Sequence, residues 1–255
     1  MKIGVTGANG RVGGLIISEL HSGEWPGLKL ASALSRTENI SGLKSFTEDS
    51  LEDFVESCEC IIDFSKPDLT LTVAKALENN NKYLITGTTG LSKDQENDLV
   101  DISRSIPVLY AANMSLGLNL MLSLVEKAAQ TLGPDWDIEI SETHHKHKID
   151  APSGTAIALG NAAAKGRDGT LEDLADHNRH GITGEREWGK IGFAVQRGGD
   201  VVGEHEVTFY GQGERISLGH IASDRRLFAR GALKAAQWIK DKPPGLYTMK
   251  DVLGL

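Results

Sequence analysis

The sequence predicts an α/β protein with two domains, a doubly wound parallel sheet first and a smaller α+β domain with a mixed or antiparallel sheet second. Three observations predict it. Apolar, strand-like runs alternate with helical periodicity over residues 1–115. A long segment rich in Leu and Met, residues 116–132, then ends this alternation. Strand-like runs separated by glycine-rich turns follow over residues 190–222.

Each element of the first domain has its own signal. Cys60–Phe64 is an unbroken apolar run, which is typical of a buried parallel strand. Pro67 begins a helix, and Ser92 with Gln95 forms a capping box for another. Right-handed βαβ crossovers are therefore expected. The predicted elements are strand Lys2–Thr6, helix Arg11–His21, strands Leu28–Leu34 and Cys60–Phe64, a helix from Pro67 to about Asn79, strand Tyr83–Thr86, a helix from Ser92 to about Arg104 and strand Pro107–Ala111.

In the second domain, alternation over Trp136–Thr143 places Ile138 and Ile140 on one face of a strand. Gly198-Gly199-Asp200 and Gly211-Gln212-Gly213 are interpreted as hairpin turns. The polar residues 166–187 predict a mobile excursion. The predicted elements are helix Leu116–Leu132, strand Trp136–Thr143, helix Ser153–Ala164, strands Lys190–Arg197, Val201–Tyr210 and Glu214–Ala222, and helix Asp224–Lys240.

Composition limits the function. The 255 residues carry a formal net charge of -8, which argues against a nucleic-acid partner and requires any anionic substrate to be bound by a local patch. Met1 leads directly into the first strand, and no stretch reaches the roughly 18 apolar residues of a membrane helix. We therefore expect a cytoplasmic protein without a membrane partner. Cys58 and Cys60 are too close for an ordinary disulfide and are interpreted as reduced core thiols.

A glycine-rich loop joins the first strand to the first helix with the spacing GxxGxxG, at Gly7, Gly10 and Gly13. Glycines allow the backbone to approach a pyrophosphate, and the helix N-terminus stabilises its charge. The position of the loop favours a Rossmann-like dinucleotide-binding domain, although tight strand–helix turns use glycine without any ligand. Small residues also follow the fourth and fifth strands, where ligands of doubly wound sheets bind; they are Gly87-Thr88-Thr89-Gly90 and Ala111-Ala112-Asn113-Met114-Ser115.

The end of the second strand, Leu34-Ser35-Arg36, bears on which nicotinamide cofactor is used. No carboxylate stands there to bind the ribose hydroxyls of NADH, and Glu38 is the nearest one. Arg36 offers a planar cation for the 2′-phosphate of NADPH. We therefore expect NADPH to be preferred, with NADH possible; the alternative is that Arg36 is a solvated surface charge.

The most informative segment is a cationic block, His144 through Lys148, in an acidic chain. It is followed by Ala-Pro-Ser-Gly-Thr, a helix entry whose N–H groups suit an anion. Four interpretations compete: a solvated strand end, a metal site of His144, His145 and His147, a nucleophilic Ser153, and acid catalysis combined with carboxylate binding. Lysines within the block oppose a cation, and Ser153 lacks a G-x-S-x-G context. Acid catalysis is favoured.

The block from His144 to Thr155 resembles the signature of the dihydrodipicolinate reductase family. The resemblance covers nearly the whole chain. Further matches are the Gly7–Gly13 loop, Gly87-Thr88-Thr89-Gly90, Ala111–Ser115, Gly203-Glu204-His205 and Phe228-Ala229-Arg230-Gly231-Ala232.

This resemblance implies reduction of a cyclic, unsaturated dicarboxylate on the route to diaminopimelate and lysine, with NADPH or NADH. It implies that His144 and Lys148 form the acid-catalytic pair. It implies a dinucleotide-binding domain of residues 1–115 and 225–255, a substrate-binding and oligomerisation domain of residues 116–224, and a homotetramer. The implied substrate-binding residues are His145, Lys148, Ser153, Gly154 and Thr155. The implied cofactor-binding residues are Gly7, Ala8, Asn9, Gly10, Arg11, Val12, Ser35, Arg36, Gly87, Thr88, Thr89, Ala111, Ala112, Asn113, Met114 and Arg225.

One departure concerns Ser35, where members of the family commonly carry an acidic residue; it puts NADH use in doubt. Two other functions remain as alternatives. A semialdehyde dehydrogenase requires a nucleophilic cysteine. A regulator that senses NADPH without turnover would explain the glycine loop but not the cationic block.

Overall fold

A computed structural model describes residues 1–35, 43–78, 80–177 and 179–255. The chain divides into two compact units, Met1–Leu116 with Arg225–Leu255, and Gly117–Asp224. The predicted α/β fold is confirmed: one sheet is parallel, and the other is mixed. Among the described residues, no helix combines the length and the apolar character needed to cross a bilayer.

The first unit contains the predicted strand–helix alternation and several short elements besides. Helix α1 has the predicted bounds, Arg11–His21, because Gly10 stands at its N-cap and Ser22 at its C-cap. The described elements are β1 (Lys2–Thr6), α1, β2 (Lys29–Leu34), β3 (Ser45–Phe46), a 3₁₀ turn (Glu48–Ser50), α2 (Leu51–Ser57), β4 (Cys60–Asp63), α3 (Pro67–Glu78), β5 (Tyr83–Thr86), α4 (Lys93–Ile102) and β6 (Pro107–Tyr110), with α8 (Arg226–Ile239), β12 (Gly245–Tyr247) and α9 (Met249–Leu253) at the C-terminus.

The strands described in this unit form one parallel sheet in the order β12-β6-β5-β4-β1-β2-β3. The chain runs outward from β1 through β2 and β3 and then returns to β4 on the other side of β1. This reversal opens a crevice at the carboxyl ends of β1 and β4, where doubly wound sheets bind ligands. The edge strands β3 and β12 were not predicted, because two or three residues are too few for a periodic pattern.

Both faces of this sheet are covered. Ile3, Val5 and Ile62 pack in a core with α1 and α8, whereas Ile61 and Leu84 point into a second core on the opposite face. Successive strand residues alternate between the two faces, so β4 presents Ile62 to one core and Ile61 to the other. Among the described residues, this leaves the strand ends and edges of the sheet for ligand binding.

The second unit is built around a long helix and a mixed sheet. Strand β7 is central, with β10 antiparallel on one side and β9 parallel on the other. The order of the described strands is β11-β10-β7-β9-β8. The described elements are α5 (Leu116–Leu132), β7 (Asp137–His144), α6 (Gly154–Gly166), α7 (Leu171–Leu174), β8 (Ala175–Asp176), β9 (Ile191–Arg197), β10 (Gly203–Gly211) and β11 (Glu214–Ala222).

One predicted hairpin is wrong. Gln212 and Gly213 do form the turn between β10 and β11, but Gly198-Gly199-Asp200 does not join paired strands, because β7 lies between β9 and β10. The glycine segment instead bonds to the backbone that follows β7. The Gly198 N–H donates to the His144 carbonyl at 2.9 Å, and the Lys146 N–H donates to the Gly199 carbonyl at 3.2 Å. The cationic block thus takes the hydrogen bonds that a hairpin would have used.

Residues 166–187, predicted as a mobile excursion, contain short regular elements and are fastened by arginines. Arg167 donates to the carbonyls of Gly189, at 2.8 Å, and Trp136. Arg186 pairs with Asp137 at 2.7 Å and with Glu139 at 3.0 Å. The mobility of this segment stays a prediction; in sequence, polar side chains that bind backbone carbonyls look identical to solvated ones.

Candidate active site

The glycine loop of the first unit has the close contacts that a dinucleotide site needs. Gly7 has φ +67, and a Cβ there would lie 2.1 Å from the Phe64 carbonyl oxygen. A Cβ on Gly13 would lie 2.2 Å from the Gly7 oxygen. Gly7 requires glycine for its backbone conformation, and both positions require it for the close approach of neighbouring backbone atoms. The loop leaves the N-terminus of α1 facing the crevice beside β4.

Two cavities line this crevice. A larger one, of about 700 Å³, contains Gly7, Ala8, Asn9, Gly10 and Ser35 in its wall. A second one, of about 370 Å³, contains most of the other predicted cofactor residues, namely Arg11, Val12, Gly87, Thr88, Thr89, Ala112, Asn113 and Met114. Among the predicted cofactor residues that the structure describes, Ala111 and Arg225 line neither cavity. Ala111 packs against the core, and Arg225 is the N-cap of α8. Arg36 lies outside the described residues.

Sequence reasoning missed the residues that follow β4. Phe64 and Ser65 line both cavities, Lys66 lines the larger one, and Phe228 lines the smaller one. The sequence does contain a signal for them, because Cys60–Phe64 is predicted to be a parallel strand and ligands bind at the carboxyl ends of such strands. The segment carried no glycine or charge cluster that would have drawn attention to it.

Asp63, at the end of β4, organises this crevice. It is fully buried and accepts hydrogen bonds from five hydroxyls, which lie on β1, on α3, on β5 and in the loops after β4 and β5. The Thr6 hydroxyl donates to Oδ1, and the others donate at 2.5–2.8 Å; they are Ser65, Thr70, Thr86 and Thr88. The Thr88 hydroxyl also accepts from the Ser65 N–H at 2.9 Å. One carboxylate therefore fixes the loops after β1, β4 and β5 relative to one another.

Replacing Asp63 by asparagine is expected to lower the free energy of unfolding by about 1–3 kcal/mol, because an amide nitrogen leaves buried hydroxyl donors without an acceptor. Urea titration with fluorescence detection measures this. Asp101→Asn is a matched control, since Asp101 is an exposed carboxylate paired with Arg104 at 3.2 Å, and it should change stability by less than about 0.5 kcal/mol. Equal effects of the two substitutions would contradict the organising role of Asp63.

In the second unit, the apolar face of β7 ends in two polar residues. Ile138, Ile140, Glu142 and His144 alternate with more exposed residues, so all four lie on the buried face. His144 Nδ1 is hydrogen-bonded to Glu142 Oε2. Glu142 Oε1 accepts from the Ser153 N–H at 2.8 Å and from Arg197 at 3.0 Å. The alternation noted at Ile138 and Ile140 would have predicted Glu142 had it been extended two residues.

The charged groups at this strand end shift the pKa values of both Glu142 and His144. Burial raises the pKa of Glu142, but hydrogen bonds from Arg197 and Ser153 and the charge of His144 outweigh it and hold the pKa below its usual value. Burial lowers the pKa of His144; Glu142 opposes this, and Lys148 and Arg197 add to it. Glu142 is therefore ionised at neutral pH, and the pKa of His144 lies below its ordinary value.

His205, on β10 opposite Glu142, completes the buried cluster. Its ring packs edge-on against His144 with centroids 5.0 Å apart. Burial and the neighbouring His144 lower the pKa of His205 to about 4. His205 is neutral at pH 7, and its Nε2 lies 3.2 Å from the Ser153 hydroxyl. Only the match of Gly203-Glu204-His205 to the family pointed to this region of the sequence.

The rest of the cationic block differs in exposure. Lys146 and His147 are exposed, whereas His145 is half-buried. The Lys148 side chain is 22% exposed, and its ammonium pairs with Asp150 at 2.9 Å. Of the block, His144 and Lys148 thus stand as the buried or partly buried members with charged partners, and their proximity shows in the effect of Lys148 on the pKa of His144.

Helix α6 begins beside these groups. Ser153 is its N-cap, and the Ser153 hydroxyl accepts from the Ala156 N–H at 3.1 Å. Gly154 and Thr155 lie in the first turn, whose N–H groups have no acceptor within the helix. Ser153 is buried, while Gly154 is exposed and Thr155 half-buried. The helix start therefore offers N–H groups and a positive dipole end to an anion next to Lys148.

This geometry bears on the alternatives. His144, Glu142 and His205 have ligand atoms within 4.8 Å of one another, as a metal would need, but the positive charges of Lys148 and Arg197 act on the same group and disfavour a further cation. Ser153 is occupied as a helix cap, which disfavours a nucleophilic role.

The thiols are equally unsuited to nucleophilic attack. Cys58 and Cys60 are both buried. Burial raises the pKa of Cys58 to about 11 and that of Cys60 well above its ordinary value. A semialdehyde dehydrogenase needs an accessible thiolate, and these two residues do not supply one.

Both parts of the chain match the same protein family. Residues 1–114 match the family description "Dihydrodipicolinate reductase, N-terminus", and residues 117–253 match "Dihydrodipicolinate reductase, C-terminus". The chain is 46% identical over 265 residues to a 4-hydroxy-tetrahydrodipicolinate reductase of Dinoroseobacter shibae, covering 98% of this chain and 97% of that protein. It is also 46% identical over 255 residues to the enzyme of the same name from Zymomonas mobilis subsp. mobilis, covering 100% and 98%.

Solved structures show the same fold. Dipicolinate-bound dihydrodipicolinate reductase from Paenisporosarcina sp. TG-14 aligns with a TM-score of 0.80 at 20% identity, covering 97% of both chains. A probable dehydrogenase from Thermotoga maritima aligns with a TM-score of 0.64 at 10% identity, covering 99% of this chain and 92% of that one.

Proposed function

Because the chain belongs to the dihydrodipicolinate reductase family, we infer that it is an NAD(P)H-dependent oxidoreductase that reduces 4-hydroxy-tetrahydrodipicolinate to tetrahydrodipicolinate, a step toward diaminopimelate and lysine. The observation that carries this conclusion is the identity of 46% over nearly the full length of enzymes with this name. The cationic, hydrogen-bonded cluster at the end of β7 supplies the chemistry that such a reduction requires.

The substrate is a small dicarboxylate, and the second unit carries the groups to bind it. The Paenisporosarcina enzyme has dipicolinate bound, which is a ring with two carboxylates. In this chain, we assign one carboxylate to the start of α6, at Ser153, Gly154 and Thr155, where the N–H groups of the first helical turn have no acceptor within the helix. Lys148 provides the positive charge of the site, and His145 is assigned to it as a hydrogen-bonding side chain. Lys148 would exchange Asp150 for the substrate.

The cofactor residues of the first unit fit a dinucleotide. Backbone crowding at Gly7 and Gly13 leaves no space for side chains, so the loop presents bare N–H groups to a pyrophosphate. When bound, the reduced nicotinamide supplies a hydride. The residues assigned to hold the cofactor are the cavity-lining ones described above, together with Ala111, Arg36 and Arg225.

His144 is assigned as the acid that protonates the carbon framework after reduction, with Lys148 as its partner. The Glu142 carboxylate binds Nδ1, so Nε2 is the atom that gains and loses the proton. Lys148 neutralises carboxylate charge and stabilises the negative charge that develops on the ring. His205 has its pKa near 4 and stays neutral, so it does not compete as the acid at neutral pH.

A coupled assay tests the function. The purified protein is mixed with NADPH and freshly generated 4-hydroxy-tetrahydrodipicolinate, and absorbance at the nicotinamide band is followed. Oxidation that depends on the dicarboxylate is expected. Binding of NADPH without its oxidation would instead support a nucleotide-sensing regulator and would refute the reductase assignment.

We propose a preference for NADPH over NADH. Ser35 lines the larger cavity and carries no charge to repel a 2′-phosphate, and Arg36 follows it in sequence. Glu48 also lines this cavity, so a carboxylate does reach it from another element. Arg36→Ala is expected to raise KM for NADPH about tenfold or more and to change KM for NADH little. Glu48→Gln is the matched substitution, because it removes a negative charge where Arg36→Ala removes a positive one. Equal effects of Arg36→Ala on the KM of NADPH and the KM of NADH would contradict the proposed preference.

We also propose a homotetramer formed through the sheet of the second unit. Tyr210 and Ile221 are 41% and 69% exposed, and the strand register places both on the sheet face opposite Ile138 and Ile140. Exposed apolar residues on that face favour an interface over a free surface. Sedimentation velocity of the wild type and of Ile221→Glu measures the assembly. A cytoplasmic location stays a prediction.

A further inference from the structure

Glu142 holds three different parts of the candidate site with one carboxylate. Its side chain is 1% exposed, which is rare for glutamate unless every oxygen is paired. Oε2 binds His144 Nδ1, and Oε1 accepts from the Ser153 N–H at 2.8 Å and from Arg197 at 3.0 Å. These partners are the assigned acid, the cap of the anion-binding helix and the cation at the end of β9.

The strand geometry makes this arrangement rigid. Glu142 and His144 are two residues apart on β7 and therefore point to the same face. Arg197 is the register partner of His144 on the parallel strand β9, and His205 is the register partner of Glu142 on β10. Arg197 also donates to the Asp150 carbonyl at 2.6 Å, so it fastens the loop that carries Lys148.

The hydrogen bond has a direction that matters for catalysis. An ionised carboxylate can only accept, so Nδ1 of His144 carries the proton and Nε2 is the titrating atom. Nε2 points toward Gly203, where even a Cβ would lie 3.0 Å away. Glycine at this position keeps space open beside the nitrogen that must meet the substrate.

We propose that Glu142 is a positioning residue that fixes the tautomer and direction of His144 and, through Ser153, the start of α6, with Arg197 as its counter-ion. This inference rests on the proposed function, in which His144 is the acid. The logic is that of a carboxylate orienting a catalytic imidazole.

The charged groups around His144 predict opposite effects of two substitutions. Glu142 on β7 favours the imidazolium, whereas Lys148 in the following loop and Arg197 on β9 disfavour it. His205 on β10 packs against the ring and is neutral. Removing Glu142 should therefore move the falling limb of kcat/KM to lower pH, and removing Arg197 should move it to higher pH.

Glu142→Gln is the principal test. Its single carbonyl oxygen is claimed by the Ser153 N–H and Arg197, so the amide NH₂ faces His144 Nδ1 and the neutral ring switches to the Nε2–H form. We expect kcat to fall about 10-fold or more, with the Kd of NADPH unchanged. Glu139→Gln is the matched control on the same strand, because Glu139 lies on the opposite face and pairs with Arg179 and Arg186. It should leave kcat and the pH profile unchanged.

A second readout does not need turnover. ¹⁵N NMR of histidine-labelled protein reports the tautomer of His144, assigned by comparison with His144→Ala. The wild type should show Nδ1–H, and Glu142→Gln should show Nε2–H. An unchanged tautomer together with an unchanged pH profile would overturn the role of Glu142. If Glu142→Gln fails to fold, Arg197→Gln still tests the positioning role of Glu142. The falling limb of kcat/KM should then move to higher pH, and a limb that stays in place or moves to lower pH contradicts the proposal.

The two readouts separate this inference from the proposed function. A wild-type protein that does not oxidise NADPH with the dicarboxylate refutes the reductase assignment, while the NMR measurement still decides whether Glu142 sets the tautomer. If the wild type is active and the Glu142→Gln variant is equally active with an unchanged pH profile and tautomer, only the positioning role is refuted.

Discussion

Replacing His144 by alanine is expected to lower kcat by about 10²–10⁴-fold, the usual contribution of a positioned general acid. His144 is buried at the end of β7 and hydrogen-bonded to an ionised glutamate. Alanine removes the imidazole that is assigned to protonate the reduced ring. The fold should persist, because the substitution shortens a side chain at the strand end, beyond the apolar core formed by residues such as Ile138 and Ile140.

Steady-state kinetics with the dicarboxylate and NADPH measure this loss. The Kd of NADPH, measured by fluorescence titration, should stay the same, because the assigned cofactor residues belong to the first unit. His147→Ala is the matched control within the same block, since His147 is exposed. Wild-type kcat in the His144 variant would show that another group donates the proton.

The pH dependence follows from the same residue. Burial lowers the pKa of His144 despite the opposing Glu142, so the His144 pKa of the free protein lies below the ordinary histidine value of about 6.5. As pH rises through this lowered pKa, the imidazolium loses its proton and kcat/KM should fall. A bound dicarboxylate favours the imidazolium, so the corresponding limb of kcat should lie at higher pH than that of kcat/KM. Limbs in the reverse order would contradict a cation next to the substrate.

Periodicity predicted the long helices and strands of this fold well, but it did not predict which strands pair with one another. Helices Arg11–His21 and Leu116–Leu132 have the predicted bounds, because each has a sustained apolar stripe. The hairpin at Gly198-Gly199-Asp200 was wrong because glycine turns reveal that the chain bends but not which strand it pairs with. Nothing local in the sequence shows that β7 lies between β9 and β10.

The candidate site likewise divides into residues with a local sequence signal and residues without one. The catalytic and cofactor assignments remain proposals, and they came from dense local signals such as the glycine loop and the cationic block. Asp63 and Arg197 were missed because each acts through contacts distant in sequence; Arg197, for example, binds Glu142, which lies 55 residues away. A buried carboxylate surrounded by hydroxyls becomes visible only when parallel strands bring their ends together.

Lys148→Met is the second substitution with a large expected effect. Methionine keeps much of the apolar stem of lysine and removes only the ammonium, which is assigned to a substrate carboxylate. Losing one partner of a desolvated charge pair costs about 2–5 kcal/mol, so kcat/KM should fall by roughly 30- to 10³-fold or more. Because Lys148 also stabilises charge that develops during the reduction, KM should rise and kcat should fall together.

The neighbouring residues make this prediction specific. Lys146→Met removes the same charge two residues away, but Lys146 is exposed, and its loss should weaken kcat/KM only slightly. Asp150→Asn removes the carboxylate that pairs with Lys148 at 2.9 Å. If the substrate displaces Asp150, this variant should not raise KM, because a competitor for the ammonium is gone. Equal losses in the Lys146 and Lys148 variants would mean that the block acts only through its overall field. A distinct loss at Lys148 would mean that its ammonium contacts the substrate directly, as the difference in burial between the two lysines predicts.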